Sequence, residues 1–260
     1  MIFADARLAR RVEAAEAANA RGCTAGEDGQ PAEALEVAGG CAVFAGAESP
    51  LTQAVGVGLN GPVDERELGR LEEFFRSRGA VVRIDLCPLA DPSLMALLGQ
   101  RGYRAAEFNN VLVKRLAGTE IVMTPRVRRA MADEADLWSH TVGHGFFEMD
   151  ELTTAEMNVG RAIFAMPGVL CYLAATENGE PAGGAAAAVR EGLATLFADS
   201  TLPRFRRRGV HRELIAARLN EALAQGCGLA AASALPGSGS QRNYERAGFE
   251  VAYTKVVMVG

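Results

Sequence analysis

The chain repeats itself at a constant spacing, and this repeat constrains its fold more than any other feature of the sequence. Three short segments of the first half return as similar triplets 146 positions later, all at this one offset. Self-similarity at one fixed offset indicates an internal duplication. We therefore predict two similar domains, with a boundary near Gly118. The matched triplets are residues 66–68 with 212–214, 101–103 with 247–249, and 111–113 with 257–259.

Helical and strand patterns alternate in both halves, which is typical of an α/β protein. Early strands of each half can pair as hairpins. The first half predicts helices at 5–21, 64–78 and 91–100, and strands at 35–44, 53–59, 81–86 and 108–116. The second half predicts helices at 131–140, 154–164 and 209–225, a helical turn at 241–246, and strands at 170–176, 183–189, 193–200, 228–232 and 251–259.

Bulk composition excludes several classes of function. The net charge is −5, which argues against a nucleic-acid-binding protein with a global basic field. No apolar run approaches the roughly 20 residues that span a bilayer. Five scattered cysteines are an odd number without a CxxC pair, which fits reduced thiols in a cytoplasmic protein. We expect no nucleic-acid partner, no membrane partner and a cytoplasmic location.

An arginine-rich loop after the predicted strand 193–200 carries the clearest chemical signal. Arg204, Arg206, Arg207 and Arg208 precede Gly209, and a long predicted helix starts there. The first turn of a helix has unpaired backbone N–H groups and the positive end of the helix dipole, so it can bind a phosphate group. The alternative is a solvated basic helix entry without a ligand, since charge runs commonly have no other role.

Two motifs of this chain together resemble the GNAT superfamily of N-acetyltransferases. Residues 206–211 resemble the family's acyl-CoA signature, Arg-x-x-Gly-x-[Gly/Ala], at the start of a helix. Residues 244–249 resemble its closing Tyr-x-x-x-Gly-Phe segment, and the likeness covers about 124–260. The resemblance implies two tandem GNAT-like domains, each a mixed, mostly antiparallel sheet flanked by helices. It also implies transfer of an acetyl group from acetyl-CoA to a primary amine of a small molecule or peptide by direct attack.

The same resemblance assigns roles to individual residues. Tyr244 corresponds to the tyrosine that protonates the leaving thiolate. His211 replaces a small residue of the signature, and Gly237 replaces an asparagine that contacts the cofactor's arm. The residues implied to hold acetyl-CoA are Ser200, Thr201, Arg206, Arg207, Arg208, Gly209, Val210, His211, Arg212, Ser240 and Asn243.

The base that accepts the amine proton is left open by the sequence. Asp199, Glu148 and Glu151 are candidates, and so are His140 and His144. The histidine pair lacks an evident third metal ligand, so we expect a loop that lines the substrate side and no metal site. Gly143 and Gly145 suggest that the preceding helix has already ended.

The first half has a different loop at the equivalent position. Pro62 removes a backbone donor, and Asp64 and Glu65 repel phosphate. We therefore expect a degenerate domain without a cofactor site at 1–117 and an acetyltransferase domain at 118–260. The alternative function is a non-catalytic acyl-CoA-binding or regulatory module on the same fold.

Overall fold

The structure, a computed structural model, describes residues 2–23, 32–118, 124, 126–149 and 151–260. The chain divides into two compact units. The first unit contains Met1–Val111 together with Val251–Gly260, and the second contains Leu112–Glu250. The last ten residues of the sequence thus complete the first unit.

The first unit has a mixed sheet with helices against it. Its strand order is β1-β2-β3-β4-β11-β5, and the β3–β4 pair is parallel. The β1–β2, β2–β3 and β4–β11 pairs are antiparallel. The elements are α1 (Ala6–Arg21), β1 (Glu33–Val37), β2 (Gly40–Phe44), β3 (Gln53–Val55), α2 (Glu65–Arg76), β4 (Arg83–Leu86), α3 (Pro92–Gln100), β5 (Arg104–Arg115) and β11 (Glu250–Val259).

Apolar faces and capped helix ends explain why the first unit folds this way. The spacing of Leu68, Leu71 and Phe75 gives α2 one apolar face, and these side chains are buried in the core of the unit. Asp64 caps α2 by accepting a hydrogen bond from the N–H of Glu67, 2.8 Å away. The Glu67 side chain accepts in return from the N–H of Asp64, which completes a capping box.

A buried charged cluster fastens β11 to the first unit. The ammonium group of Lys255 lies 2.6 Å from a carboxylate oxygen of Asp85 and 3.5 Å from one of Glu13. The hydroxyl of Tyr253 donates to Glu13 at 2.8 Å. Lys255 is almost fully buried, so its charge depends on the neighbouring carboxylates for compensation.

The second unit also has a mixed, mostly antiparallel sheet. Its strand order is β5-β10-β9-β8-β7-β6, with β9 and β10 parallel. The β6–β7, β7–β8 and β8–β9 pairs are antiparallel. The elements are β6 (Val127–Arg129), α4 (Ala135–Phe147), α5 (Thr154–Ala165), β7 (Val169–Ala175), β8 (Pro181–Arg190), β9 (Leu193–Thr201), α6 (Val210–Ala224), β10 (Leu229–Ala234) and α7 (Gly239–Arg246), with 3₁₀ turns at Ala132–Glu134 and Pro203–Phe205.

Helix α4 is longer than the sequence indicates, and the expected helix end before Gly143 is wrong. Both glycines lie inside α4, which continues to Phe147. Gly145 packs directly on the end of β9, where a β-carbon would lie 2.9 Å from the carbonyl oxygen of Thr201 and still closer to the hydroxyl of Ser200. The glycine therefore allows a close helix–strand approach, and it does not mark a helix end.

The internal repeat is visible in the positions of the elements. A shift of 146 residues places α1 on α5, α2 on α6, β4 on β10, α3 on α7 and β5 on β11, within a few residues at the ends. Strands β5 and β11 are thus equivalent, yet β11 belongs to the first unit and β5 ends in the second. The compact units therefore differ from a single cut near Gly118.

Some predicted element bounds are wrong. The predicted strand 35–44 is two strands, because Ala38 and Gly39 adopt positive φ angles of 49° and 76° and turn the chain. The predicted strand 53–59 ends at Val55, because Gly56 has a φ of 72°.

Candidate active site

Strands β9 and β10 separate at one end of the second sheet. Their parallel ladder ends at the pair Leu196–Ala232, although β9 continues to Thr201 and β10 to Ala234. Backbone N–H and C=O groups on the facing edges beyond this pair are therefore not used between the two strands. Such a gap can accept an extended ligand that carries amide groups of its own.

A β-bulge lies in β9 beside this gap. Gly184 of β8 is opposite Ser200, whereas Ala186 is opposite Phe197, so two steps on β8 match three on β9. Ala198 accommodates the additional residue with a φ of 53°. A bulge leaves backbone groups outside the ladder and turns them in a new direction. The backbone at the gap is therefore shaped differently from a regular strand.

The loop after β9 leads into an uncapped helix. Gly209 is the N-cap residue of α6 with a φ of 84°, and it has no side chain to occupy the free N–H groups of the first turn. Arg207 also has a positive φ, of 63°. Residues 206–209 are exposed. This loop has the backbone geometry and the dipole of an anion-binding site.

Arg206 braces the loop. Its guanidinium donates to the carbonyl oxygen of Thr201 at 3.3 Å and to that of Gly145 at 3.1 Å. It also pairs with the carboxylate of Glu148 at 2.7 Å. Arg206 thus connects the loop to β9 and to the end of α4.

The other arginines of the loop are arranged differently. Arg204 pairs with Glu180 at 2.6 Å, and the guanidinium of Arg208 lies 5.6 Å from the ring centre of Phe205. Arg207 and Arg212 form no ion pair with any residue that the structure describes. Their charges are therefore available to an anionic ligand.

A buried polar cluster lies behind the bulge. Asp199 accepts a hydrogen bond from the hydroxyl of Tyr244 at 2.5 Å, pairs with the guanidinium of Arg218, and contacts the imidazole Nε2 of His211 at 3.1 Å. The amide of Asn243 lies 3.0 Å from Nδ1 of His211. The side chain of His211 thus turns inward, toward Asp199.

The cluster fixes the charge of its members. Burial alone would raise the pKa of Asp199, but the charge of Arg218 and the contact with His211 outweigh burial and hold this pKa well below its usual range. Burial, and then the charge of Asp199, raise the pKa of Tyr244 well above its usual value. Asp199 is therefore an anion and Tyr244 a neutral phenol at all ordinary pH values, and Asp199 is a poor general base.

The family of this region follows from a comparison of sequences. A model described as the acetyltransferase (GNAT) family matches residues 135–249. Residues 135–249 are a GNAT acetyltransferase domain. No curated protein sequence matches the chain.

Solved structures share the GNAT fold over nearly the whole chain. A GCN5-related N-acetyltransferase from Kribbella flavida has a TM-score of 0.69 and 18% identity, covering 97% of this chain and 95% of its own. A second one, from Sphaerobacter thermophilus, has a TM-score of 0.59 and 16% identity, covering 90% and 78%. A tandem GNAT protein from the clavulanic acid biosynthesis pathway has a TM-score of 0.58 and 15% identity, covering 89% and 79%. The predicted fold class is confirmed.

The residues predicted for acetyl-CoA all lie in the GNAT unit. Ser200 is buried, and its hydroxyl has no hydrogen-bond partner among the described residues. Ser240 lies in the first turn of α7, and Ser238 is occupied as the N-cap of that helix. The structure brings His211 and Asn243 together, whereas Ser240 makes no contact of this kind within the described chain. The binding roles themselves stay predictions.

A cavity of about 420 Å³ extends along α6 from Gly209. Gly209 and Arg212 line its one end, and Lys114 and Arg246 add two further cations. Its apolar lining includes Leu116, Ile215, Leu219 and Leu223. The cavity can therefore hold a flat apolar group together with an anionic one.

The equivalent helix start in the first unit is already occupied. Asp64 and Glu67 form the capping box of α2, and the N–H of Val63 is bonded to the hydroxyl of Ser93 at 2.8 Å. These donors are the counterparts of those left free at α6. The absence of a cofactor site from the first unit stays a prediction.

Sequence reasoning missed Arg218. A signal was present, because Arg218 is spaced with Leu214, Ile215 and Leu219 on the apolar face of α6. A charged residue on a buried face needs a partner, and that partner is Asp199. The bulge at Ala198 has no comparable signal, since alanine does not favour a positive φ.

The described residues hold no cluster of three or more histidine, cysteine or carboxylate side chains suited to a metal. The rings of His140 and His144 lie 4.4 Å apart on α4. Within the same part of the chain, no helix is long and apolar enough to cross a membrane.

Proposed function

We propose that the protein is an acetyl-CoA-dependent N-acetyltransferase that acetylates a primary amine of a small molecule or peptide by direct attack. The observation that carries this proposal is the uncapped start of α6 next to the gap between β9 and β10, within a GNAT domain. Acetyl-CoA supplies the reactive acetyl thioester when it is bound.

Backbone donors and two arginines hold the pyrophosphate. The free N–H groups of residues 209–212 point away from the helix and meet the negative charge. Arg207 and Arg212 add charge, since neither is used in an ion pair with a described residue. Main-chain groups of Ser200 and Thr201, on the free edge of β9, bind the amide groups of the pantetheine arm.

The bulge and Tyr244 act on the acetyl carbonyl and on the leaving sulfur. A backbone N–H of the splayed segment around Ala198 polarises the acetyl carbonyl. Tyr244 is neutral and has a proton to give to the leaving sulfur. The hydroxyl of Tyr244 donates a hydrogen bond to Asp199. Tyr244 can therefore protonate the sulfur only when this hydrogen bond breaks or another group donates to Asp199 in its place.

The histidine pair on α4 supplies the base. His144 precedes Gly145, which contacts the end of β9. Burial, followed by the charge of His144, lowers the pKa of His140, so that its imidazole stays neutral to a lower pH than usual. Since only the neutral form accepts a proton, activity falls as the pH drops through this lowered pKa. Replacement of both histidines by glutamine removes this acidic limb from the kcat–pH profile; an unchanged limb contradicts the assignment.

The cavity along α6 receives the nucleotide end of the cofactor. Its apolar lining suits the adenine ring, and Lys114 and Arg246 suit the 3′-phosphate. Replacement of Arg246 by glutamine should weaken CoA binding but leave dephospho-CoA binding unchanged, as measured by calorimetry. Equal weakening of both ligands contradicts this placement.

Release of free CoA across a panel of amines tests the function. Amine-dependent thiol release, with acetylated product identified by mass spectrometry, is the expected result. One observation favours the alternative of a non-catalytic acyl-CoA-binding module: the hydroxyl of Tyr244 is buried and engaged by Asp199. Acetyl-CoA binding without thiol release from any amine supports that alternative.

A further inference from the structure

Arg218 is a fully buried cation at the centre of the GNAT unit. Its side chain has no exposed surface, and its Nε donates to the carbonyl oxygen of Leu214 at 3.0 Å. Its Nη1 lies 3.2 Å from Asp199 Oδ2, and its Nη2 pairs with Oδ1. The guanidinium is thus fixed at both ends, by its own helix and by β9.

The same guanidinium spans the bulge. Nη1 donates to the carbonyl oxygens of Ala186 at 3.0 Å and Phe197 at 3.4 Å. These two residues form the last regular pair before the register shift. Arg218 therefore contacts both strands on one side of the bulge and Asp199 on the other.

Stability alone does not explain a charge at this position. The neighbouring positions on α6 are apolar, and an apolar replacement of a buried ion pair is commonly neutral or stabilising. The best-attested role of a buried ion pair is to select one of several possible registers. A bulge in β9 is such a choice of register.

We propose that Arg218 is a positioning residue for acyl transfer, which holds the β9 bulge and, through Asp199, the side chains of Tyr244 and His211. The proposal rests on the proposed function, because the bulge backbone and Tyr244 act on the acetyl thioester only if the protein binds it. Arg218 itself touches only protein groups.

Removal of the guanidinium has a defined consequence. Asp199 would remain largely buried beside His211 of α6 and Tyr244 of α7, with no permanent cation next to it. A carboxylate that loses its countercharge has a raised pKa, so it takes up a proton at a higher pH than before. Tyr244 and His211 then lose a charged acceptor, and the bulge loses its three-point support.

Three variants test the proposal: Arg218→Met, Asp199→Asn and the double variant. Each single variant leaves one uncompensated buried group and lowers the Tm, whereas the double variant restores much of it. We expect kcat to fall about 10²-fold in Arg218→Met and to stay low in the double variant, with KM for acetyl-CoA little changed. Arg218→Met should also gain a new acidic limb in its kcat–pH profile, which the double variant lacks because it has no carboxylate to titrate.

A merely structural role gives a different pattern. In that case kcat recovers together with Tm in the double variant, which overturns the proposal, as does a wild-type kcat in a folded Arg218→Met protein. Arg101→Met is the matched control, since it breaks the contact with Glu72 in the first unit. It should lower Tm without a new limb in the pH profile.

Infrared spectra of bound acetyl-CoA labelled with ¹³C at the carbonyl separate this proposal from the proposed function. The carbonyl band of the wild-type complex should lie at a lower frequency than that of the Arg218→Met complex. This shift without amine-dependent turnover supports the positioning role and contradicts the transferase function. If the wild type turns over and Arg218→Met has the same carbonyl band and the same kcat, the positioning role is contradicted and the transferase function is not.

Discussion

At the scale of single residues, the proposed phosphate site before α6 depends on Gly209. Its φ of 84° is strained for any residue with a β-carbon, and it leaves the first N–H groups of α6 uncovered. Gly209→Glu places a carboxylate at this position, and we expect the thermal stabilisation by CoA to be lost. Gly226→Glu is the control, because Gly226 has a similar φ of 73° at the other end of α6. Retained stabilisation in Gly209→Glu contradicts the loop assignment.

Glu13 gives the first unit a pH dependence. Burial raises the pKa of Glu13 to about 8, and Lys255 only partly opposes this rise. Because this pKa is higher in the folded state than the unfolded value of about 4.3, the folded protein binds the proton of Glu13 more tightly. The stability that Glu13 contributes is therefore fully present below about pH 4.3 and is lost as the pH rises through about 8. Glu13→Gln keeps an acceptor for Tyr253 and removes the titration.

As the pH rises from 5 to 8, the Tm measured by calorimetry should therefore decrease less in Glu13→Gln than in the wild type. Glu36→Gln, which changes an exposed carboxylate of the same unit, should leave the loss unchanged. An equal loss in Glu13→Gln and the wild type would show that Asp85, or another group, carries the dependence.

At the scale of elements, the sequence predicts what local periodicity and capping determine. The helices predicted at 64–78 and 209–225 are α2 and α6, because both have apolar residues at helical spacing. The loop at 206–211 was predicted from its arginines before Gly209 and from its resemblance to the GNAT acyl-CoA signature. The extent of α4 and the bulge of β9 were not predictable, because Gly145 and Ala198 owe their conformations to neighbours distant in sequence.

The contact between α4 and β9 can be tested with a matched pair of glycines. Gly145→Ala forces a methyl group against Ser200 and Thr201, and it should lower the stability by about 1–3 kcal/mol. Gly69→Ala lies in the interior of α2 with open space around it, and it should raise the stability by about 0.4–1 kcal/mol. Urea unfolding of both variants gives the comparison; equal effects of the two would show that α4 does not rest on β9.

At the scale of the whole molecule, the duplication could be predicted from the sequence, because a constant offset between matched triplets is recognised without knowing which residues are in contact. The triplets at 101–103 and 247–249 precede equivalent strands, β5 and β11. The unit to which each of these strands belongs could not be predicted from the sequence. Strand pairing is non-local, and two homologous strands with the same alternation fit the same sheet position. The structure assigns β11 to the first unit, where Lys255 meets Glu13 and Asp85.

This assignment predicts that the end of the chain stabilises its beginning. Deletion of residues 251–260 removes a strand of the first sheet and leaves Glu13 and Asp85 without Lys255, while the elements of the second unit remain. Hydrogen exchange should therefore speed up in α1 and β4 far more than in β8 and β9. Lys255→Met keeps the strand and should cost the first unit about 3–5 kcal/mol, since it breaks a buried ion pair on one side only. Faster exchange confined to residues 112–250 in both proteins contradicts the assignment, because β11 would then support the unit that precedes it directly in sequence.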